Sequence, residues 1–243
     1  MISSQFERVY DTLTRSLSPA LAARFDLMRP SLRFPWGGPM NGQDGRQAIV
    51  KELLKVVAFA EVVETGTFRG STTEFLAQAS TLPVTTVEAV PRNYEYAKQR
   101  LNGFPTVRVS QGDSRDFLRQ LSANAAQAPV LFYLDAHWAE DLPLGGELEI
   151  IERSWAQAVV LVDDFEVPGD PGYGFDDYGK GKSLDHQLLD RSSVAGWDRF
   201  APVLPSARET GERRGCVVIA APAVSALVEG ANLLRLVKTP PIV

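Results

Sequence analysis

The apolar positions of this chain change rhythm at Ala60. Beyond it, short runs rich in Val, Leu and Ile alternate with stretches whose apolar residues recur every three or four positions. The runs predict strands over Glu61–Glu64, Val84–Glu88, Thr106–Ser110, Val130–Asp135 and Ala158–Asp163. The stretches between them predict helices over Ser71–Ala79, Asn93–Leu101, Ser114–Leu121 and Gly146–Trp155. Alternation at this spacing implies βαβ units and a parallel sheet covered on both faces. Near the end the rhythm breaks: Phe200–Leu204 and Gly215–Ala220, joined by the polar stretch Arg208–Arg214, read as a hairpin-like pair. Before Ala60 the chain reads as helices and loops. Phe6, Val9, Tyr10 and Leu13 recur at helical spacing, residues 30–45 are rich in Pro and Gly, and a helix is expected over Arg46–Val57 with Ile49, Leu53 and Val56 on one face. The expected organisation is a helical N-terminal annex, residues 1–58, followed by one compact α/β unit, residues 59–243.

The chain has 243 residues, enough for one large α/β unit with such an annex. It is 44% hydrophobic and 23% charged, an ordinary globular balance. A net charge of −5 argues against non-specific nucleic-acid binding. The single cysteine, Cys216, lies in the apolar run Cys216–Ala220, which excludes a disulfide within the chain and predicts a buried thiol. The N-terminus lacks a signal pattern and no run approaches transmembrane length, so the cytoplasm and no membrane contact are expected.

One turn stands out. Val62 and Val63 lead into Glu64-Thr65-Gly66-Thr67-Phe68-Arg69-Gly70-Ser71-Thr72, a β-branched run that ends in an acid and a two-glycine turn opening a helix. Such a turn presents backbone N–H groups and a helix N-terminus to a ligand. Phe68 stands where a G-x-G-x-x-G dinucleotide loop needs its second glycine, and no lysine follows Gly70 as a phosphate-binding P-loop requires. The stretch resembles motif I of the class I S-adenosylmethionine methyltransferases, in the E-x-G-x-x-x-G-x-[ST] form of catechol O-methyltransferase and its relatives.

The remaining candidates sit where strands end. Glu88 closes the second strand, where an acid can accept hydrogen bonds from ribose hydroxyls; this fits an adenosine ligand of either a methyltransferase or an NAD enzyme. Asp113 and Ser114 follow the third strand, and either suits a helix N-cap. Asp135 ends the fourth strand, ahead of Ala136-His137-Trp138, while Asp163 and Asp164 end the fifth. Three carboxylates arriving at one sheet edge repel unless a cation joins them, and hard oxygen ligands of this kind select Mg²⁺. A plain capping role for Asp163 or Asp164 is the alternative.

These segments extend the resemblance over about Glu61 to Pro171. Catechol O-methyltransferase relatives carry Asp-His-Trp after the fourth strand and an Asp-Asn/Asp pair before a Pro-Gly loop after the fifth. Here Asp135-Ala136-His137-Trp138 and Asp163-Asp164 before Pro168-Gly169 are similar, and Asp135 and Asp163 stand 28 residues apart, a spacing that fits that family. The resemblance implies a doubly wound, mostly parallel seven-stranded sheet with an antiparallel last strand. It also implies S-adenosylmethionine bound by Glu64, Gly66, Phe68, Gly70, Thr72, Glu88, Asp113, Ser114 and Asp135, with the Asp113–Ser114 turn against adenine. Mg²⁺ would be held by Asp135, Asp163 and Asp164.

Two departures matter. Ala136 is inserted ahead of His137, and the family's lysine base has no counterpart because Ala139 and Glu140 follow Trp138. His137 is therefore the candidate base, as in related sugar O-methyltransferases. The segment from Pro168 to Lys182 reads as a lid, and Trp36, Asn41, Gln43 and Arg46 as the opposite, acceptor-side wall. The expected activity is methylation of a hydroxyl on a small molecule, whether phenol, sugar or another natural product. A homodimer is compatible with this reading. An NAD-dependent oxidoreductase, or a cofactor-binding protein without activity, are the alternatives.

Overall fold

The computed structural model describes Thr14 and residues 16–136 and 141–237. The expected first helix, Phe6 to Leu13, and the candidate base His137 with Trp138 lie outside the described residues.

Five strands form a parallel run: β1 (Glu61–Thr65), β2 (Val84–Glu88), β3 (Val107–Gln111), β4 (Val130–Leu134) and β5 (Ala158–Asp163). The helices between them are α3 (Ser71–Ser80), α4 (Pro91–Arg100), α5 (Ser114–Ser122) and α6 (Leu144–Ser154); α1 (Pro19–Leu27) and α2 (Asp44–Val56) precede β1. Apart from α1, for which no span is predicted, each lies within about two residues of its predicted span. Then come α7 (His186–Asp190), β6 (Asp198–Pro202), β7 (Cys216–Ala220), α8 (Ser225–Val228) and β8 (Leu234–Leu236). The sheet order is β3-β2-β1-β4-β5-β7-β6-β8. β7 runs antiparallel to both β5 and β6, as expected of the hairpin-like pair.

The sheet has eight strands rather than the expected seven. β8 is three residues long and pairs antiparallel with β6, covering an edge that would otherwise present unpaired backbone groups. Its Leu-Arg-Leu run carries no periodicity long enough to announce a strand.

Alternation along the strands sorts side chains into two apolar layers. Val62, Leu131, Tyr133, Val159 and Leu161 face one layer, with Leu76 of α3 and Ile49, Val50 and Leu53 of α2. Val63, Phe132, Leu134, Val160 and Val162 face the other, with Phe117 and Leu118 of α5 and Leu148, Ile151 and Trp155 near α6. Because both faces are buried, these strands read as unbroken apolar runs. α2 belongs to the first layer, so residue 58 marks no break in the core. α1 is tied across the top, where Arg92 of α4 donates to both oxygens of Asp26 at 2.6 and 2.7 Å. No helix among the described residues is long and apolar enough to cross a membrane.

Candidate functional site

The strand order reverses direction between β1 and β4, and at such a point a crevice opens beyond the carboxyl ends of the strands. A cavity of about 440 Å³ occupies it. Gly66, Phe68, Glu88, Asp113, Ser114, Asp135 and Asp164 line it, so seven residues singled out in the sequence meet at one place. Glu64, Gly70, Thr72 and Asp163 do not line it.

The turn after β1 has demanding geometry. Gly66 has φ 85°, and a Cβ there would collide with the carbonyl of Asp135, so only glycine lets the ends of β1 and β4 approach this closely. Gly70 has φ 76° and opens α3. Phe68 takes φ 48°, a left-handed conformation costly for a bulky residue. Its N–H donates to Glu88 Oε2 at 2.7 Å, while Val90 N–H donates to Oε1 at 2.8 Å. Two backbone donors thus hold Glu88 at the cavity wall, and burial raises its pKa despite them. Asp113 caps α5 through Arg115 N–H at 2.8 Å, and the Arg115 side chain bonds it and Asp141 as well. Hydrogen bonds from Arg115 lower the Asp113 pKa to about 2.

Glu64 has a different role from the one expected. It is buried beneath the turn, where Thr73 and Thr86 hydroxyls donate to its Oε2 at 2.5 and 2.6 Å. Burial pushes its pKa up to about 7. It braces β1, β2 and α3 against one another rather than facing the cavity. Thr72 likewise turns away, its hydroxyl accepting from Met40 N–H at 3.1 Å.

Of the expected acceptor-side wall, Trp36 and Asn41 line the cavity. Trp36 is half exposed and packs on Phe68 with ring centroids 5.1 Å apart. Gln43 and Arg46 lie behind that wall, both buried. The proposed lid is ordered against the site. Asp176 N–H donates to the Asp164 carbonyl at 2.9 Å, Leu184 N–H donates to the Asp176 carbonyl at 2.9 Å, and Asp176 and Tyr178 line the cavity.

The sheet order distinguishes this molecule from dinucleotide-binding proteins, whose sixth strand continues the parallel run. Here an antiparallel β7 sits between β5 and β6. No known family profile and no curated protein sequence matches the chain. Solved structures do match by shape. One is an O-methyltransferase from Bacillus cereus in complex with SAH, with 15% identity, 88% of this chain and 97% of that chain covered, and a TM-score of 0.54. Another is the O-methyltransferase TomG from Streptomyces achromogenes, involved in tomaymycin synthesis and in complex with SAM, with 19% identity, coverages of 91% and 99%, and a TM-score of 0.53. The chain has the fold of the class I S-adenosylmethionine-dependent methyltransferases.

On that fold the acidic strand ends were expected to hold Mg²⁺, and the donor set does not suit it. Asp163 is 1% exposed, and both of its oxygens are taken. Oδ1 accepts from Arg46 and from Asp164 N–H at 2.6 Å; Oδ2 accepts from the Tyr133 hydroxyl. Asp164, with φ 51°, accepts from Arg214 Nε at 2.8 Å. Among the described residues no cluster of three acid, His or Cys side chains is arranged to take a metal ion. Asp163 and Asp164 meet guanidinium groups instead. Burial and the nearby Asp164 push the Asp135 pKa well above the ordinary carboxylate range.

Arg214, Asp176 and Tyr178, with Asn93, Asp141 and Glu212, are among the cavity residues that the pattern alone did not single out. Asp176 and Tyr178 belong to the expected lid segment. Arg214 ends a polar connection that also contains Arg208 and Arg213, and nothing in the local sequence marks which arginine turns inward.

Proposed function

We propose that this chain is an S-adenosylmethionine-dependent O-methyltransferase that acts on a hydroxyl of a small molecule. The observation that carries the reading is the antiparallel β7 between β5 and β6, in a sheet whose crevice holds Glu88, fixed by two backbone N–H donors at the end of β2 beside the Gly66–Phe68 turn. Its carboxylate retains lone pairs for ribose hydroxyls. The Phe68 and Val90 side chains flank the same opening, and the Asp113–Ser114 turn would lie against adenine. When bound, S-adenosylmethionine supplies a methyl group on an already activated sulfonium.

The chain's own contribution is then to bind, orient and deprotonate. Trp36 and Asn41 on one side, with Asp176 and Tyr178 on the other, would hold the acceptor beside Asp135, and the Trp36 ring supports a flat or sugar-like face. His137, next to Ala136 of the cavity wall, is the proposed base for the hydroxyl proton. Magnesium forms no part of this reading, because Asp163 is turned to Arg46 and Tyr133. An NAD enzyme would ask for glycine where Phe68 stands and a parallel strand where β7 runs antiparallel.

Thermal unfolding with S-adenosylhomocysteine against NAD, each with and without Mg²⁺, tests the ligand class. S-adenosylhomocysteine should raise Tm and NAD should not; the reverse would refute the reading. A panel of hydroxylated acceptors with methyl-labelled cofactor then tests transfer. Cofactor binding without transfer to any phenol or sugar would leave a binding protein in place of an enzyme.

A further inference from the structure

We propose that the cation at the acceptor end of this site is the Arg214 guanidinium, and that the site takes no divalent ion. Naming that end of the cavity rests on the O-methyltransferase reading above; the metal test does not.

Arg214 lines the cavity from the connection between β6 and β7. Its Nε donates to Asp164 Oδ1 at 2.8 Å, and one terminal nitrogen donates to Asp176. The side chain is 26% exposed against 18% and 22% for the two aspartates, so the three groups form a half-buried ion triad rather than a surface pair. Its backbone is fixed on both sides of the residue. Arg214 N–H donates to Gln43 Oε1 at 2.9 Å, and Gln43 Nε2 donates to the Arg214 carbonyl at 2.8 Å. Arg46 also donates to that carbonyl and, at 3.0 Å, to the carbonyl of Gly215, while its other terminal nitrogen holds Asp163. One buried arginine therefore pairs with the deepest carboxylate, whose other oxygen Tyr133 holds, and anchors the peptide of the second arginine, which bridges the next two.

This arrangement meets both demands that a metal would otherwise meet. Carboxylates converging on one sheet edge need positive charge between them, and the two guanidinium groups supply it. A divalent ion would need oxygen ligands that Asp163 and Asp164 have already committed, and its octahedral shell would have to displace a planar fork anchored at its own peptide. Two of Arg214's five N–H donors are used on the aspartates, so others remain for an oxygen of the acceptor. A guanidinium aimed at an oxygen on which negative charge grows stabilises that charge without reorganisation. Arg214 is on this argument a residue that contacts the acceptor directly.

The test is a Mn²⁺ titration of the full chain, read by electron paramagnetic resonance of the free ion, with and without S-adenosylhomocysteine. The parent protein is expected to show no stoichiometric site tighter than about 1 mM, weaker than most built oxygen sites. Arg214→Met releases Asp164 and Asp176 and should gain at least about tenfold in Mn²⁺ affinity, whereas Arg214→Lys, which keeps the charge, should gain none. One Mn²⁺ per parent chain at sub-millimolar affinity would overturn the proposal, as would an Arg214→Met chain that folds and gains no site. The parent measurement decides the matter even where the Met variant does not fold. Calorimetric binding of S-adenosylhomocysteine to the parent is read separately: its failure would sink the methyltransferase reading and leave the metal result standing.

Discussion

Replacing Arg46 by Met tests the electrostatic frame most directly. Arg46 and Asp163 are each 1% exposed, so the variant leaves a carboxylate inside the protein with only the Tyr133 hydroxyl and the Asp164 N–H as donors. Breaking a buried pair by removing one partner costs about 3–5 kcal/mol. The carbonyls of Arg214 and Gly215 also lose a donor, at about 1 kcal/mol each. A loss of roughly 5–7 kcal/mol is therefore expected, a third or more of the typical stability of a domain. For a chain of this size that corresponds to a Tm lowered by about 10–28 °C. Urea unfolding followed by far-UV circular dichroism measures it, with an unchanged m value showing that the same cooperative unit unfolds. Adding Asp163→Asn to the variant removes the stranded charge while keeping an acceptor for Tyr133, and should recover about half of the loss. A single-variant cost below about 1 kcal/mol would refute the reasoning, because Asp163 would then be reaching water or an ion by another route.

Other consequences are as direct. Glu88→Gln should weaken S-adenosylhomocysteine binding by about 1.5–3 kcal/mol in calorimetry, with far-UV circular dichroism unchanged; full affinity would remove Glu88 from the site. Gly66→Ala forces a Cβ against the Asp135 carbonyl at φ 85° and should cost more than about 2 kcal/mol in denaturant unfolding. Glu64 gives a signed pH dependence: its pKa is about 7 when folded against about 4.3 when unfolded, so the folded state binds the extra proton and stability falls as pH rises from about 4.5 through 7. Glu64→Gln should flatten that slope by up to about 3 kcal/mol in unfolding measured across the range, and an unchanged slope would show that Glu64 does not titrate there. His137→Gln should lower kcat by about 10²–10⁴-fold once an acceptor is in hand, and a loss below about threefold would remove it as the base.

The strand and helix spans of the α/β part were legible because both faces of the sheet are buried. Val62-Val63, Val130 to Leu134 and Ala158 to Val162 must then be apolar at every position, and a run without polar interruption announces itself. The acids at Glu88, Asp135 and Asp164 were legible for a related reason: in a parallel sheet every carboxyl end falls on one side, so an acid at or just past a strand end is placed near the crevice. Periodicity says nothing about what meets a strand end from elsewhere in the chain. Arg46 and Asp163 are 117 residues apart, and Gln43 and Arg214 are 171 apart. Only the packing of α2 beside the end of β5 and the start of β7 puts guanidinium groups where the carboxylates suggested a metal. The facing of Glu64 was decided the same way, because Thr73 and Thr86 wait on α3 and β2 to receive it. Local sequence set which residues would stand at the sheet edge; the charge that balances them, and hence the chemistry left to the site, came from contacts across the fold.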